Sequence, residues 1–132
     1  MTQTVRELLD ALRAHLAEFE LPELCSVTVA PSSLLPQLSA QLTSQEPPQI
    51  ATALLAWADT VAQPTAEAWR VPGGDAVHLI ITGLLPGGAS IQIYGGAPFS
   101  VHGLGADLAP GARSPLLLTA LRHLAALREV PA

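Results

Sequence analysis

Four histidines, one cysteine and two Pro-Gly-Gly triplets are the residues of this 132-residue chain from which chemistry could be built. His15, His78, His102 and His123 show no H-x-H or H-x3-H spacing, and Cys25 has no second thiol. A zinc site would need four ligands converging from distant segments, so no metal and no other cofactor is expected. Nucleophilic catalysis needs a serine or cysteine beside a base that a third group orients. No G-x-S-x-G elbow is present. Asp75 and His78 are close in sequence, yet three residues along a strand place them on opposite faces. Cys25 alternates with Val27 and Val29, the pattern of a buried structural thiol. Glu7 with Asp10, and Glu18 with Glu20, fall on what should be the wet face of a helix. No catalytic residue is assigned, and the chain leans away from being an enzyme.

The triplets Pro72–Gly74 and Pro86–Gly88 lie in the stretch VPGGDAVHLIITGLLPGGA, residues 71–89. A phosphate-cradling loop carries its glycines from a strand into a helix N-terminus. Here each triplet runs into another apolar, strand-like run, so both read as hairpin turns. Proline suits the first turn position and glycine the left-handed one. The other glycine-rich stretch, Gly103-Leu104-Gly105, lacks a strand-to-helix context.

Composition narrows the function classes. Apolar residues make up 49% of the chain, which argues against disorder. The formal net charge is −5, with six arginines and no lysine. Nucleic-acid binding rests on Lys and Arg neutralising phosphates, and few are available. Arg113, Arg122, His123 and Arg128 make the C-terminal segment modestly basic, which leaves an accessory regulator touching nucleic acid through its last helix as an outside alternative. No apolar run approaches the length of a membrane span, about 20 residues. The start of the chain does not read as a secretion signal. With a single cysteine, a cytoplasmic setting is expected. The absence of both lysine and asparagine, whose codons are AT-rich, suggests a GC-rich bacterial genome.

These residues must be positioned by the following elements. Residues 4–19 carry apolar side chains at 5, 8, 9, 12, 16 and 19, one helical stripe, with Thr4 and Glu7 at capping-box spacing and Arg6 four residues before Asp10. Residues 24–30 alternate as a strand. Residues 34–42 fit either a strand or a helical stripe through Leu34, Leu35, Leu38 and Leu42; Pro36 favours the strand, paired with 24–30 as a hairpin. A second helix is expected from about Pro48 to Ala62, closed by Gln63-Pro64. Ser114-Pro115 reads as the start of a last helix with Leu117, Leu118, Leu121, Leu124 and Ala125 on its apolar face.

Three-residue loops at both triplets set the register between these runs. The first places Val71 opposite Asp75, Trp69 opposite Val77 and Glu67 opposite Leu79. The second places Leu85 opposite Ala89, Ile81 opposite Ile93 and Gly83 opposite Ile91. Trp69, Val77, Leu79, Ile81, Ile91 and Ile93 then share a buried face, where Trp57 of the second helix meets Trp69. Ala68, Arg70, His78, Ile80, Thr82, Gln92 and Tyr94 share the other.

The expected fold is one α+β domain over residues 1–132. Its order is α-β-β-α-β-β-β-α, with a mostly antiparallel sheet of about five strands and helices packed on one face. The expected function is a non-catalytic binding or interaction module acting on itself as a homodimer, or on another protein. Its surface is the outer face (Arg70, His78, Ile80, Thr82, Gln92, Tyr94) or a strand edge. Nucleic acid and membrane are not expected partners; Tyr94, as the sole aromatic on that face, is too little for base stacking. The alternative is a small-molecule binder or small enzyme with its site under the long loop 95–113, using His102 or His78 with Arg113 or Arg70.

Overall fold

In the computed structural model, residues 3–31 and 36–127 are described. Leu34, Leu35 and Arg128 lie outside them. The chain forms α1 (Val5–Glu18), β1 (Leu24–Val29), β2 (Leu38–Leu42), α2 (Pro47–Ala58), β3 (Ala62–Arg70), β4 (Ala76–Leu84), β5 (Ser90–Pro98), β6 (Arg113–Leu116) and α3 (Leu118–Ala126). This is an α+β fold with a mostly antiparallel sheet, in the expected element order with one strand added. Among the described residues no helix is long and apolar enough to cross a membrane.

The six strands lie in the order β1-β2-β5-β4-β3-β6. β1–β2, β5–β4, β4–β3 and β3–β6 are antiparallel, and β2 runs parallel to β5 with Ala40 opposite Ile93. A parallel pair needs a crossover, and α2 supplies it over one face. There α2 packs on β3, β4 and β5, and α3 packs on α2. Trp57, Ile50 and Leu54 of α2 meet Leu8 and Leu12 of α1, Leu121 of α3, and Leu38, Leu79, Ile81, Ile91 and Ile93 of the sheet in one buried cluster. The helix-side residues of the strands are thus apolar at every second position, as period-2 burial requires.

Several local expectations hold. Thr4 and Glu7 form the reciprocal capping box, with Glu7 N–H donating to Thr4 Oγ1 at 3.1 Å and Thr4 N–H to Glu7 Oε1 at 3.0 Å. Those bonds hold the Glu7 carboxyl below the usual carboxylate range. Asp10 finds its cation in Arg13, at 4.0 Å, rather than in Arg6.

Others are corrected. Cys25 is exposed, because β1 has an extra residue between Leu24 and Ser26 that takes Cys25 out of the alternation. α2 stops at Ala58, where Thr60 Oγ1 caps Trp57 O at 2.9 Å. Gln63, at φ +52°, and Pro64 then fall in an irregular start of β3 instead of closing the helix. Ser114 and Pro115 belong to the sixth strand, so α3 begins at Leu118 and Leu117 is an exposed N-cap. Proline is tolerated there because β6 is an edge.

The first hairpin carries the correction that matters most. At Pro86–Gly88 the expected loop of three is present: Leu85 N–H donates to Ala89 O at 2.8 Å and Ile81 lies opposite Ile93. At Pro72–Gly74 the loop has four residues. Val71 N–H donates to Ala76 O at 3.0 Å, which places Trp69 opposite His78, Ala68 opposite Leu79 and Arg70 opposite Val77. Every side chain of β3 is therefore inverted. Ala66 and Ala68 face the helices, and Trp69 faces away from Trp57.

The open face of the sheet as candidate functional site

Among the described residues no helix packs on the side of the sheet opposite α2. Its outward positions follow from the register: Ser26 and Thr28 on β1, Ser39 and Gln41 on β2, Gln92 and Tyr94 on β5, His78, Ile80 and Thr82 on β4, Thr65, Glu67 and Trp69 on β3, Arg113 and Pro115 on β6. Five of the six expected binding residues are here: His78, Ile80, Thr82, Gln92 and Tyr94. Arg70 is not. The four-residue loop turns it to the helix side, where Nε donates to Gly74 O at 3.0 Å and Nη1 to Leu108 O at 2.9 Å. Its guanidinium also sits 3.7 Å from the centroid of the Phe99 ring. Arg70 is thereby a structural clamp between the first hairpin and the loop that follows β5.

Trp69 replaces Arg70 on the open face, and a continuous row results. Ser26 and Tyr94 hydroxyls donate to Gln41 Oε1 at 3.5 and 3.4 Å. Tyr94 stacks on His78 at 5.0 Å between centroids and 17° between planes. It reaches His78 diagonally because Gly96, directly opposite, has no side chain to intervene. His78 meets Trp69 edge-on at 5.2 Å and 83°. The guanidinium of Arg113 lies 5.5 Å from the Trp69 ring and donates to Glu67 Oε1 at 3.0 Å. All six strands contribute to this row. Beside it a shallow groove of about 440 Å³ is lined by Thr65, Glu67, Thr82, Arg113 and Pro115. Ile80 at the centre of the face is only 4% exposed, although it takes no part in the helix-side cluster.

The chemistry of this row is aromatic rather than acid–base. Burial between rings lowers the His78 pKa from its usual value, so the imidazole is neutral near pH 7. Its ring neighbours are Trp69 and Tyr94, and the Tyr94 hydroxyl donates to Gln41 rather than to the imidazole. His78 and Tyr94 spend a ring face on each other, unlike the free faces on which an RNA-binding sheet stacks bases.

An imidazole–hydroxyl pair exists elsewhere, and sequence spacing did not reveal it. His15 Nε2 lies 2.8 Å from Thr60 Oγ1. The same hydroxyl is 2.9 Å from Trp57 O, so it has a backbone acceptor as well as the imidazole. His15 is 2% exposed between Phe19 and Trp57, and burial lowers its pKa. This pair is a buried tie between α1 and the end of α2.

The long loop proves shorter than expected, since Gly95–Pro98 belong to β5. Beneath it is a small, partly open pocket of about 30 Å³, lined by Pro47, Val77, Leu79, Ala97, Leu104 and Leu124 among others, the size of one water. His102 is exposed in a turn, His78 is on the opposite side of the sheet, and Arg113 is paired with Glu67 on β6. The structure does not bring these residues together. Arg122 and His123 are exposed on α3, apart from Arg113 on its strand. Among the described residues no three His, Cys, Asp or Glu side chains gather as a metal site would require. Comparison with known protein families, with curated proteins and with solved structures returns no match.

Proposed function

We propose that the protein is a non-catalytic, cytoplasmic interaction module that works as a homodimer, burying the open face of its sheet against the same face of a second copy. Charge placement carries this reading. The chain has eleven acids and six arginines, yet among the described residues the open face presents one of each, Glu67 and Arg113, and they neutralise one another at 3.0 Å. The surplus of negative charge therefore lies elsewhere. A chain of net charge −5 can meet its own copy across this face without the repulsion that its other surfaces impose. Trp69, Tyr94 and Arg113 are residue types enriched at interfaces, and lysine and unpaired acids are depleted there. Size agrees as well: six strands about 4.8 Å apart and averaging about seven residues offer roughly 650 Å² per copy, or about 1,300 Å² in all, within the range of stable interfaces.

Light scattering coupled to size-exclusion chromatography tests the proposal. Ile80→Glu combined with Tyr94→Gln places a charge and removes a ring at the centre of the face, and is expected to halve the mass in solution. A monomeric parent protein at several hundred micromolar, or a mass unchanged by the double substitution, refutes it.

A further inference from the structure

The two edges of the sheet differ in kind. β6 is four residues long and carries Arg113 and Pro115, features by which an edge strand refuses a neighbour. β1 (Leu24–Val29) has neither charge nor proline. Its irregularity at Cys25 disturbs one end and leaves Ser26–Val29 regularly paired with β2. Ala30 N–H donates to Gln37 O at 2.8 Å. Alternation along the strand then turns the N–H and C=O of Thr28 toward β2, and those of Val27 and Val29 away from the sheet. Four backbone groups face outward with no strand beside them among the described residues. The Val27 side chain, 39% exposed, borders a groove of about 590 Å³ with mixed apolar and acidic lining, together with Leu16, 41% exposed.

We propose that β1 pairs antiparallel with β1 of a second copy around a two-fold axis at Thr28, joining two six-stranded sheets into one. In this register Val27 lies opposite Val29 of the partner subunit, and the reverse. Each pair exchanges two N–H···O bonds, which uses all four outward groups on each strand. Thr28 lies opposite its own copy in a non-hydrogen-bonded pair. The register preserves faces, so hydroxyl meets hydroxyl on the open side and valine meets valine on the helix side. That self-complementarity, with no charge on the strand, selects a second copy as the occupant. The acids lining the groove, Glu18, Glu20 and Glu23, do not oppose it. The two-fold sends the two Glu23 residues to opposite ends of the joined strands, roughly 30 Å apart, well beyond the Debye length of about 10 Å.

The assembly that follows rests on the face-to-face reading above. An edge two-fold runs perpendicular to the sheet and a face two-fold lies in its plane, so the two interfaces together can close into a tetramer with dihedral symmetry.

Solution masses separate the two surfaces. Val27→Pro removes an outward N–H and leaves the bonds to β2 in place; Val27→Arg serves the same purpose with an unrestricted backbone should the proline variant not fold. The parent protein is expected at four chain masses, either Val27 variant at two, Ile80→Glu at two, and the combination at one. If both Val27 variants keep the parent mass, edge pairing is overturned. If they halve it while Ile80→Glu does not, edge pairing stands and the open-face dimer fails. The register is read by cross-linking in a Cys25→Ser background. Thr28→Cys should oxidise to a covalent dimer, since non-hydrogen-bonded pairs bring Cα atoms to about 4.5 Å, and Val27→Cys should not. No covalent dimer from Thr28→Cys, or equal yields from both, overturns the pairing.

Discussion

The two Pro-Gly-Gly hairpins are a controlled comparison inside one molecule. Both begin with the same turn bond: Gly74 N–H to Val71 O at 2.8 Å, and Gly88 N–H to Leu85 O at 2.9 Å. Both place glycine at positive φ, Gly74 at +80° and Gly87 and Gly88 at +95°. Yet one loop closes after three residues and the other after four. The difference lies in what surrounds them. Around the second loop an added Cβ on Gly87 or Gly88 would meet nothing within 4 Å, so the local turn decides. The first loop is gripped from outside. Arg70 binds Gly74 O, and Phe99 N–H donates to Asp75 O at 2.9 Å. Those partners use the carbonyls of both residues at the end of the loop, and the Phe99 bond, which continues the β4–β5 register, turns the Asp75 carbonyl toward β5 and away from β3. One extra residue then inverts β3, which moves Trp69 to the open face and creates the row on which the proposed interface depends.

Deleting Asp75 should break the comparison most severely. The first loop would shorten to match the second, and β3 would have to bury Glu67 and Trp69 against the helices or lose its pairing. A loss of at least about 3 kcal/mol is expected by urea denaturation. A change within about 0.5 kcal/mol would mean that contacts outside the loop do not set its length.

Arg70→Met comes next. It keeps the apolar stem but strands two carbonyls, Gly74 O and Leu108 O, and removes the cation from Phe99. Roughly 2 kcal/mol should be lost. The equivalent flank of the second triplet is apolar, Leu84-Leu85, so Leu84→Met should cost a small fraction of that.

The smallest expected effect is a pH dependence. Burial lowers the folded-state pKa of both His15 and His78. Above the ordinary histidine pKa of about 6.5, neither the folded nor the unfolded chain carries these protons. As pH falls below it, the unfolded chain takes them up first, so stability is lost in acid. The urea midpoint should fall between pH 7.5 and 5.5, before carboxylates titrate. His78→Phe should remove part of that fall while keeping the stack with Tyr94. An unchanged slope would show that the inverted register does not place His78 in a desolvated row.

Much of this was legible from residue order. Helix α1 announced itself through its stripe and capping box, and β4 and β5 through alternation. The second hairpin's register followed from turn chemistry alone. Five of the outward residues on β4 and β5 were therefore placed correctly, because both strands are tied to that hairpin. Strand β6 was read as a helix start because Ser-Pro is good N-terminal chemistry; its strand character comes from pairing with β3, a partner more than 40 residues away in sequence. Cys25 was misplaced because a bulge interrupts an alternation that continues in the sequence. Only the first loop offered a warning: a three-residue register put Glu67 on the buried side opposite Leu79, and an unpartnered buried carboxylate is costly. The four-residue loop gives that carboxylate Arg113 and solvent.

By itself the order of amino acids determined helix α1 with its capping box, the alternation of β4 and β5, and how the Leu85–Ala89 turn closes. Those properties depend on interactions among near neighbours along the chain. The face on which Trp69 emerges was decided only by tertiary structure. Loops of three and four residues both satisfy the Val71–Gly74 turn bond, so the local energies barely distinguish them. The choice falls to Arg70 and its distant acceptor Leu108 O, and to Phe99 N–H, groups that meet the hairpin only once the chain has folded.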